Sequence, residues 1–432
     1  MSLIKYIAIA ALLLFALVLA LIGILSVTHD TPVRSVIAEG DRDGPPAIGD
    51  SLFARSIELF TGTHIDPGNK VQILLNGDGT YPQLWKDLES AQRTITIQMY
   101  YSQPGAVADT LAKYLIDRAQ HRVRVLLLLD AFGSQPLKKD WIHRLRSAGV
   151  EVVWLRPLRW YSLQKAAQRS HVRVVVIDGR IGYTGGFGLA DYWLGDGHHK
   201  DQWRESNVRF EGPTVGELQA TFAAGWAEAT GELLTGDMFF PRASFADVGD
   251  VRAGLMHTIP STGSTPAERF LALSIAGARK TLYISNSYFV PGESFMQLLL
   301  AAAKRGVDVR VLTVSKETDV KTTWYAGRTY YEPLLEGGVR IFEYQPTMMH
   351  AKSMVVDGLW SYVGSMNFDN RSLSFNDESL LVTLDPGVGA QMDSIFVDDT
   401  KWSKEIKLDE FRKRPLSSKI LEWGAQKLRR VL

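Results

Sequence analysis

The stretch HAKSMVVDGLWSYVGSMN, from His350 to Asn367, begins with a histidine two positions from a lysine, turns at Asp-Gly and ends in Gly-Ser-Met-Asn. If its first eight residues form a strand, the period of two places His350 and Lys352 on one face and Asp357 on the other. Asp357 then lies at the turn, where a structural role is expected. LWSYV returns as a second strand, so the hairpin brings Ser365 and Asn367 beside His350 and Lys352.

This group of side chains suits a phosphoryl group, because cations, a hydroxyl and an amide can bind its oxygens while an imidazole attacks or protonates. A lone histidine near a lysine is more often an ordinary surface pair, so the single motif is weak evidence. The pattern recurs, however, in HVRVVVIDGRIGYTGGFG, from His171 to Gly188. In this copy Arg173 takes the lysine position, and Gly186 and Gly188 take the serine and asparagine positions.

The elements before the two motifs also match. In each copy a helix end, an alternating strand and a Pro-Gly turn precede a helix, a buried strand and a second helix that closes at glycine. The two histidines are 179 positions apart (350 − 171). The sequence therefore predicts an α/β chain built from a duplicated unit. The first copy is longer by a basic, aromatic loop, RPLRWYSLQKAAQRS, that leads into its histidine.

Composition limits the classes of protein that are compatible with the chain. Its 432 residues are 46% hydrophobic and 22% charged, which predicts two ordinary globular domains. A formal net charge of +1 argues against a broad cationic surface for nucleic acid. The absence of cysteine excludes disulfides, thiol nucleophiles and thiolate metal sites, and leaves the redox compartment open.

The N-terminal segment YIAIAALLLFALVLALIGILSVT, from Tyr6 to Thr28, carries no charge over 23 residues. As a helix it would be about 34 Å long, enough to cross a bilayer. We therefore predict a transmembrane anchor over residues 1–29, with a cleaved signal peptide as the alternative. The flanking charges leave its orientation open. Residues 30–51 are typical of a polar Gly/Pro linker.

At its paired motifs the chain resembles the phospholipase D superfamily, whose signature is H-x-K-x₄-D-x₆-G-[GS]-x-N, usually present twice. The stretches WRESNVRFEGPTV (203–215) and SYFVPG (287–292) point to the bacterial cardiolipin synthases within it. The likeness covers about residues 52–432. It implies two tandem α/β/α sandwich domains related by pseudo-twofold symmetry.

The resemblance also sets the expected boundaries. The first domain is expected over 52–235, a linker over 236–255 and the second domain over 256–432. Residues 401–432 hold ten Lys/Arg against four Asp/Glu in a helical pattern. This C-terminal helix could lie on an anionic bilayer or pack on the second domain, and the sequence leaves both open.

The mechanism that the resemblance implies has a phosphohistidine intermediate. His171 is expected to be the nucleophile and His350 the general acid and base, with Glu378 and Glu205 as the acids that orient them. Ordinary ion pairing is the alternative for both acids. The expected catalytic residues are His171, His350, Arg173, Lys352, Glu205 and Glu378. The expected phosphate-binding residues are Arg173, Lys352, Ser365, Asn367 and Gly186. The expected structural residues are Asp178 and Asp357.

The first motif departs from the signature at two positions. Arg173 keeps the positive charge but is larger and forked, so phosphate binding should survive with a shifted pose. Gly188 removes one amide donor. No metal or cofactor is expected, and the cluster GDGHHKD, with His198 and His199, is predicted to be a polar loop.

The function implied is transfer of a phosphatidyl group, with two phosphatidylglycerols joined into cardiolipin and glycerol released. A hydrolytic phospholipase D or phosphodiesterase is the first alternative, and a membrane-tethered lipid-binding protein with a decayed motif is the second. The expected partners are a phospholipid and the bilayer, without nucleic acid, and the oligomeric state is left open. The expected location is the bacterial inner membrane, through a single N-terminal anchor.

Overall fold

The structure of the chain is a computed structural model that describes residues 3–27, 32–38, 45–157, 168–260 and 264–428. Most of the predicted basic loop before His171 therefore lies outside the described residues, as do parts of the predicted anchor and linker. The strands are β1 Asp66–Leu75, β2 Thr94–Met99, β3 Arg124–Asp130, β4 Glu151–Leu155, β5 Val174–Ile177, β6 Ile181–Gly185, β7 Ser206–Glu211, β8 Val251–Thr258, β9 Thr281–Asn286, β10 Asp308–Val314, β11 Arg340–Tyr344, β12 Lys352–Val356, β13 Trp360–Gly364, β14 Glu378–Leu384 and β15 Ser403–Glu405.

Helices alternate with these strands along most of the described chain. They are α1 Leu3–Val27, α2 Ser51–Thr61, α3 Asn76–Ser90, α4 Ala106–Gln120, α5 Lys139–Ser147, α6 Thr214–Thr230, α7 Pro266–Gly277, α8 Gly292–Lys304, α9 Lys321–Arg328, α10 Tyr331–Glu336, α11 Asn370–Ser374, α12 Pro386–Lys401, α13 Leu408–Arg412 and α14 Leu416–Lys427. Short 3₁₀ turns cover Asp191–Trp193 and Arg242–Phe245. The predicted α/β class is confirmed.

All fifteen described strands belong to one sheet, in the order β15-β11-β10-β9-β12-β13-β14-β8-β1-β7-β6-β5-β2-β3-β4. The central pair, β8 and β1, is antiparallel. Read outward from that pair, the two sides carry corresponding strands, and the hairpin β5-β6 of one side matches β12-β13 of the other. Both motif hairpins therefore belong to one continuous sheet, at corresponding places on either side of its centre.

Helices cover both faces of this sheet because its buried strands are apolar on both sides. On β3, Leu127 faces a cluster that includes Leu84 of α3. The next residue back, Leu126, faces a second cluster with Phe222 of α6 and Phe396 of α12. That second cluster contains residues from both copies, so the two copies share a core.

Helix α2 packs on the second copy although it precedes the first along the chain. Phe53 and Ile57 are buried in the cluster that contains Phe270 of α7. The Phe53 ring meets Trp360 of β13 edge to face, with centroids 5.1 Å apart. The predicted domain and linker boundaries stay predictions.

The N-terminal prediction needs correction. Within the described ranges, no helix is both long enough and apolar enough to cross a membrane. The predicted transmembrane anchor, and with it the single-pass location in the bacterial inner membrane, is therefore wrong.

The basic C-terminal helix packs on the second copy with one side only. Glu422 of α14 is buried and pairs with Arg328 of α9 at 3.1 Å. The opposite side exposes Leu416, Ile420 and Trp423, which are spaced four and three residues apart. The helix thus buries its acidic position and leaves an apolar stripe uncovered.

The aspartates of the two motifs hold the motif turns in place. Both Asp178 and Asp357 have a φ of +54°. The Asp178 carboxylate accepts hydrogen bonds from the amides of residues 92–94 at 2.7–2.9 Å. The Asp357 carboxylate accepts from the amides of residues 279–281 over the same distances. Each aspartate therefore ties its turn to the start of the neighbouring strand, β2 or β9.

We expect Asp357→Ala to destabilise the fold without removing chemistry. Three backbone N–H groups would lose their acceptor, which should cost about 1–3 kcal/mol of unfolding free energy. Calorimetry should show a lower unfolding temperature, while kcat measured well below that temperature stays within about two-fold of wild type. An unchanged unfolding temperature with a large fall in kcat would contradict the structural role.

Candidate active site

The two motifs meet at one cleft of about 310 Å³, at the small end of the range for ligand pockets. His171 and Arg173 line it from the first copy, and His350 and Asn367 from the second. Lys352 lies directly behind His350 and is fully buried. The histidine just before β5 and the one just before β12 come together although four strands lie between their hairpins in the sheet order, because β13 and β14 of one copy contact β6 and β7 of the other.

Each histidine is held by a glutamate from the other copy. Nδ1 of His171 is 2.9 Å from Oε2 of Glu378, and Nδ1 of His350 is 2.5 Å from Oε2 of Glu205. The backbones cross in the same way, since His350 N–H donates to the carbonyl of Arg204 at 2.7 Å. The sequence predicted both acids, but the tertiary structure decides that the pairs cross over. Neither copy contains a complete pair on its own.

The two motif cations are anchored to the histidine of their own copy. Lys352 Nζ donates to Ser287 Oγ at 2.9 Å and to the carbonyl of His350. Arg173 donates from Nη1 to the carbonyl of His171 at 2.5 Å and from Nε to the carbonyl of Phe187 at 3.2 Å. Each positive charge is therefore fixed beside the histidine of its own copy.

The serine and glycine positions of the motifs contact the glutamates. Ser365 Oγ donates to Oε2 of Glu378 at 2.5 Å. At the matching place in the first copy, a Cβ on Gly186 would lie 2.4 Å from the Glu205 carboxylate. The first copy thus uses glycine to make room for the carboxylate, and the indole of Trp193 donates to it at 3.2 Å. Phosphate binding by Ser365 and Gly186 stays a prediction.

The departure at Gly188 has a steric reason. A Cβ at this position would lie 2.7 Å from the ring of Trp193 and 2.9 Å from the carbonyl of Tyr101. Trp193 occupies the space that an asparagine would need, and its ring meets His350 edge to face with centroids 5.3 Å apart. Sequence reasoning missed Trp193. The only sequence signal for Trp193 is the aromatic pair in GLADYW, which follows Gly188, the glycine that departs from the signature.

Aromatic side chains line one side of the cleft and polar side chains line another, and these residues lie outside the two motifs. Aromatic rings line it at Tyr100, Tyr101, Tyr192, Trp193, Trp203 and Tyr288. Polar and charged side chains line it at Asp369, Arg371, Ser372 and Asn376. Trp203 lies 4.9 Å from the His350 ring by centroids, so the aromatic side adjoins that histidine.

Burial sets the protonation of the site. It raises the pKa of Glu205 and of Glu378 to about 7. Burial, together with the nearby Arg173 or Lys352, holds the pKa of His171 and of His350 well below the usual value. With both carboxylates ionised, two positive and two negative charges cancel. A bound phosphodiester adds one negative charge, which favours protonation of one imidazole and so provides a general acid.

We expect the pH dependence of kcat/KM to report the charge of Lys352. Burial lowers the pKa of Lys352 to about 7, so the free protein holds this charge below pH 7 and loses it above. The value of kcat/KM for an anionic phospholipid should therefore fall as the pH rises through 7. Lys352→Arg should move this alkaline limb to higher pH, because a guanidinium stays charged. A limb that stays in place in the variant would contradict the assignment.

His198 of the GDGHHKD loop packs against aromatic side chains. His198 stacks on Trp402 with ring centroids 4.2 Å apart and shares a hydrogen bond with the Tyr344 hydroxyl at 2.9 Å. In the described part of the chain, no group of three or more histidine, aspartate or glutamate side chains is arranged to hold a metal ion.

Comparison with known proteins identifies the family. Residues 84–226 and 271–401 each match the family described as "Cardiolipin synthase, PLD-like domain". The cardiolipin synthase of Geobacillus sp. (strain WCH70) is 33% identical over 355 residues, covering 82% of this chain and 70% of that protein. Cardiolipin synthase A of Pseudomonas syringae pv. syringae (strain B728a) is 30% identical over 387 residues, covering 87% and 79%.

Solved structures give the same fold at lower identity. The phosphatidylserine synthase of Haemophilus influenzae Rd KW20 superimposes with a TM-score of 0.66 at 13% identity, covering 88% of this chain and all of that one. Its likeness bears on the fold alone. The two matched segments form one sheet and share one cleft, which is the arrangement of the phospholipase D-like class. The chain therefore contains two phospholipase D-like domains, as predicted. Within that class, the chain belongs to the cardiolipin synthase family of phosphatidyltransferases.

Proposed function

We propose that this protein joins two phosphatidylglycerols into cardiolipin and releases glycerol. The observation that carries the proposal is the crossed arrangement of two imidazoles, each held by a glutamate of the other copy, around two buried cations. Such a site can bind an anionic diester, attack it from one side and protonate the leaving oxygen on the other. The named relatives, which are cardiolipin synthases, support the choice of a phospholipid substrate.

The first half-reaction transfers the phosphatidyl group to the protein. Neutral His171 attacks phosphorus, so an N–P bond forms and the bond from phosphorus to the glycerol oxygen breaks. Protonated His350 gives its proton to that oxygen, and glycerol leaves. Arg173 and Lys352 neutralise the phosphoryl oxygens, while Glu378 keeps the His171 ring in one orientation.

The second half-reaction reverses these roles. The glycerol hydroxyl of another phosphatidylglycerol loses its proton to His350 and attacks phosphorus. The new P–O bond forms as the N–P bond to His171 breaks, and His171 returns to its neutral form. Water in place of the alcohol would give hydrolysis, so the chemistry depends on which hydroxyl occupies the cleft.

Labelled lipid tests the proposal directly. Detergent-solubilised protein is incubated with phosphatidylglycerol labelled in the glycerol headgroup or, separately, in an acyl chain. We expect one free glycerol for each cardiolipin formed. Phosphatidic acid as the only lipid product would overturn transfer in favour of hydrolysis. A double variant, His171→Ala with His350→Ala, is the blank.

We also propose that the protein takes these lipids from a bilayer surface through α14. Leu416, Ile420 and Trp423 are 72%, 58% and 63% exposed and lie along one stripe, which suits an interfacial helix. Vesicles of phosphatidylglycerol should therefore sediment the protein, and Ile420→Asp with Trp423→Asp should weaken this binding at least about ten-fold. Equal sedimentation of variant and wild type would contradict the assignment of this surface.

A further inference from the structure

The cleft contains a cation that the two motifs do not supply. Arg371 lines the cleft from helix α11 and is half-buried. Within the described ranges, its guanidinium makes no hydrogen bond or ion pair with another side chain. In contrast, Arg173 and Lys352 are buried and donate to backbone or hydroxyl oxygens of the site itself. Arg371 is therefore the cleft cation with its donors still available to a ligand.

The groups around Arg371 are polar and partly unused. Asn367 and Asn376 line the same cleft and are each at least 94% buried. The side-chain oxygen of each has no hydrogen-bond partner among the residues that the structure describes. A buried polar atom without a partner is costly, so such atoms are usually satisfied when a ligand binds. Asp369, the nearby carboxyl group, accepts a hydrogen bond from the Ser372 amide through Oδ1 at 2.8 Å.

We propose that Arg371 binds the phosphate of the second, acceptor phospholipid, while Arg173 and Lys352 hold the phosphate that reacts. This inference rests on the proposed function, because joining two phosphatidylglycerols places two phosphodiesters in one cleft. The two buried cations balance the two glutamates, and a protonated His350 balances the reacting phosphodiester, which leaves the acceptor's negative charge to be balanced by another group. A guanidinium fork matches two phosphate oxygens.

The small cleft makes this arrangement geometrically reasonable. In phosphatidylglycerol the reacting hydroxyl and the phosphate are separated by the three carbons of glycerol. Arg371 lies close enough to His171 that its charge helps to lower the pKa of that imidazole. The oxygens of Asn367 and Asn376 can then accept from the remaining glycerol hydroxyl. The polar side of the cleft thus provides partners for each part of an acceptor headgroup.

Two reactions of one protein separate the acceptor phosphate from the rest of the chemistry. Exchange of labelled glycerol into phosphatidylglycerol uses the donor site and both histidines, but its acceptor carries no phosphate. Cardiolipin synthesis uses an acceptor that does. We expect Arg371→Gln to lower cardiolipin synthesis by at least about ten-fold more than glycerol exchange, since a charge-assisted hydrogen bond is lost only in synthesis. Most of this loss should appear as a higher KM for the acceptor.

Two further variants complete the test. Arg371→Lys keeps the charge and should recover part of the synthesis rate. Arg252→Gln, an exposed arginine of β8 outside the cleft, should match wild type in both reactions. Equal losses in both reactions, or no loss in either, would overturn the role of Arg371. If the wild type makes no cardiolipin and exchanges no glycerol, the proposed function itself fails, and that result is distinct.

Discussion

His350→Ala lowers kcat for cardiolipin formation by at least about a thousand-fold, because the variant cannot protonate the leaving glycerol or deprotonate the acceptor. His171→Ala has an effect at least as large, since no covalent intermediate can form. Both losses are expected without unfolding, because both side chains line the cleft. The measurement is initial-rate formation of labelled cardiolipin.

A substrate with a good leaving group distinguishes the two histidines. Phosphatidyl-p-nitrophenol needs no protonation of the departing phenolate. We therefore expect His350→Ala to release one equivalent of nitrophenol in a burst and to carry a phosphatidyl group on His171, detectable by mass spectrometry. His171→Ala should show no burst. A burst in His171→Ala with an adduct on His350 would reverse the roles, and His64→Ala, an exposed histidine outside the cleft, serves as the control.

The second large effect is expected at the buried ion pair between Arg204 and Asp399, next to Glu205. Arg204 donates from Nε and Nη2 to the two carboxylate oxygens of Asp399, each at 2.8 Å, and both residues are buried. Removing one partner of such a pair leaves a buried charge without compensation, which costs about 3–5 kcal/mol. Asp399→Ala should therefore lower the free energy of unfolding by this amount, measured by urea denaturation.

This variant should also lower activity for a local reason. Arg204 immediately precedes Glu205, and its carbonyl accepts the His350 N–H at 2.7 Å. If Arg204 moves, the carboxylate and the imidazole lose their alignment. We expect kcat to fall at temperatures where the variant is still folded, with substrate KM changed less than kcat.

The neighbouring surface pair provides a matched control. Asp398 pairs with Lys401 at 2.8 Å, but both side chains are more than half exposed. Asp398→Ala should change stability by at most about 1 kcal/mol. Arg204→Met combined with Asp399→Leu should recover much of the stability lost in Asp399→Ala, because no charge then remains unpaired. A loss in Asp398→Ala as large as that in Asp399→Ala would contradict the importance of burial.

Local pattern was enough to predict the α/β class, the duplication and the motif residues that line the cleft, His171, Arg173, His350 and Asn367. These features repeat every two residues along a strand, or recur as whole motifs, so they are visible without any long-range contact. The acids at Glu205 and Glu378 were expected from the family resemblance and not from this local pattern. The pattern was wrong for the N-terminal anchor, where an apolar run was read as a membrane span.

Only the tertiary structure decided which glutamate meets which histidine. His350 and Glu205 are far apart in the chain, and their approach depends on β1 pairing with β8 at the centre of one sheet. The same long-range packing places the ring of Trp193 against His350 and leaves the guanidinium of Arg371 at the cleft. The order of residues along a strand determines on which face of the sheet each side chain lies. The strand pairing between the two copies determines which residues that face contacts.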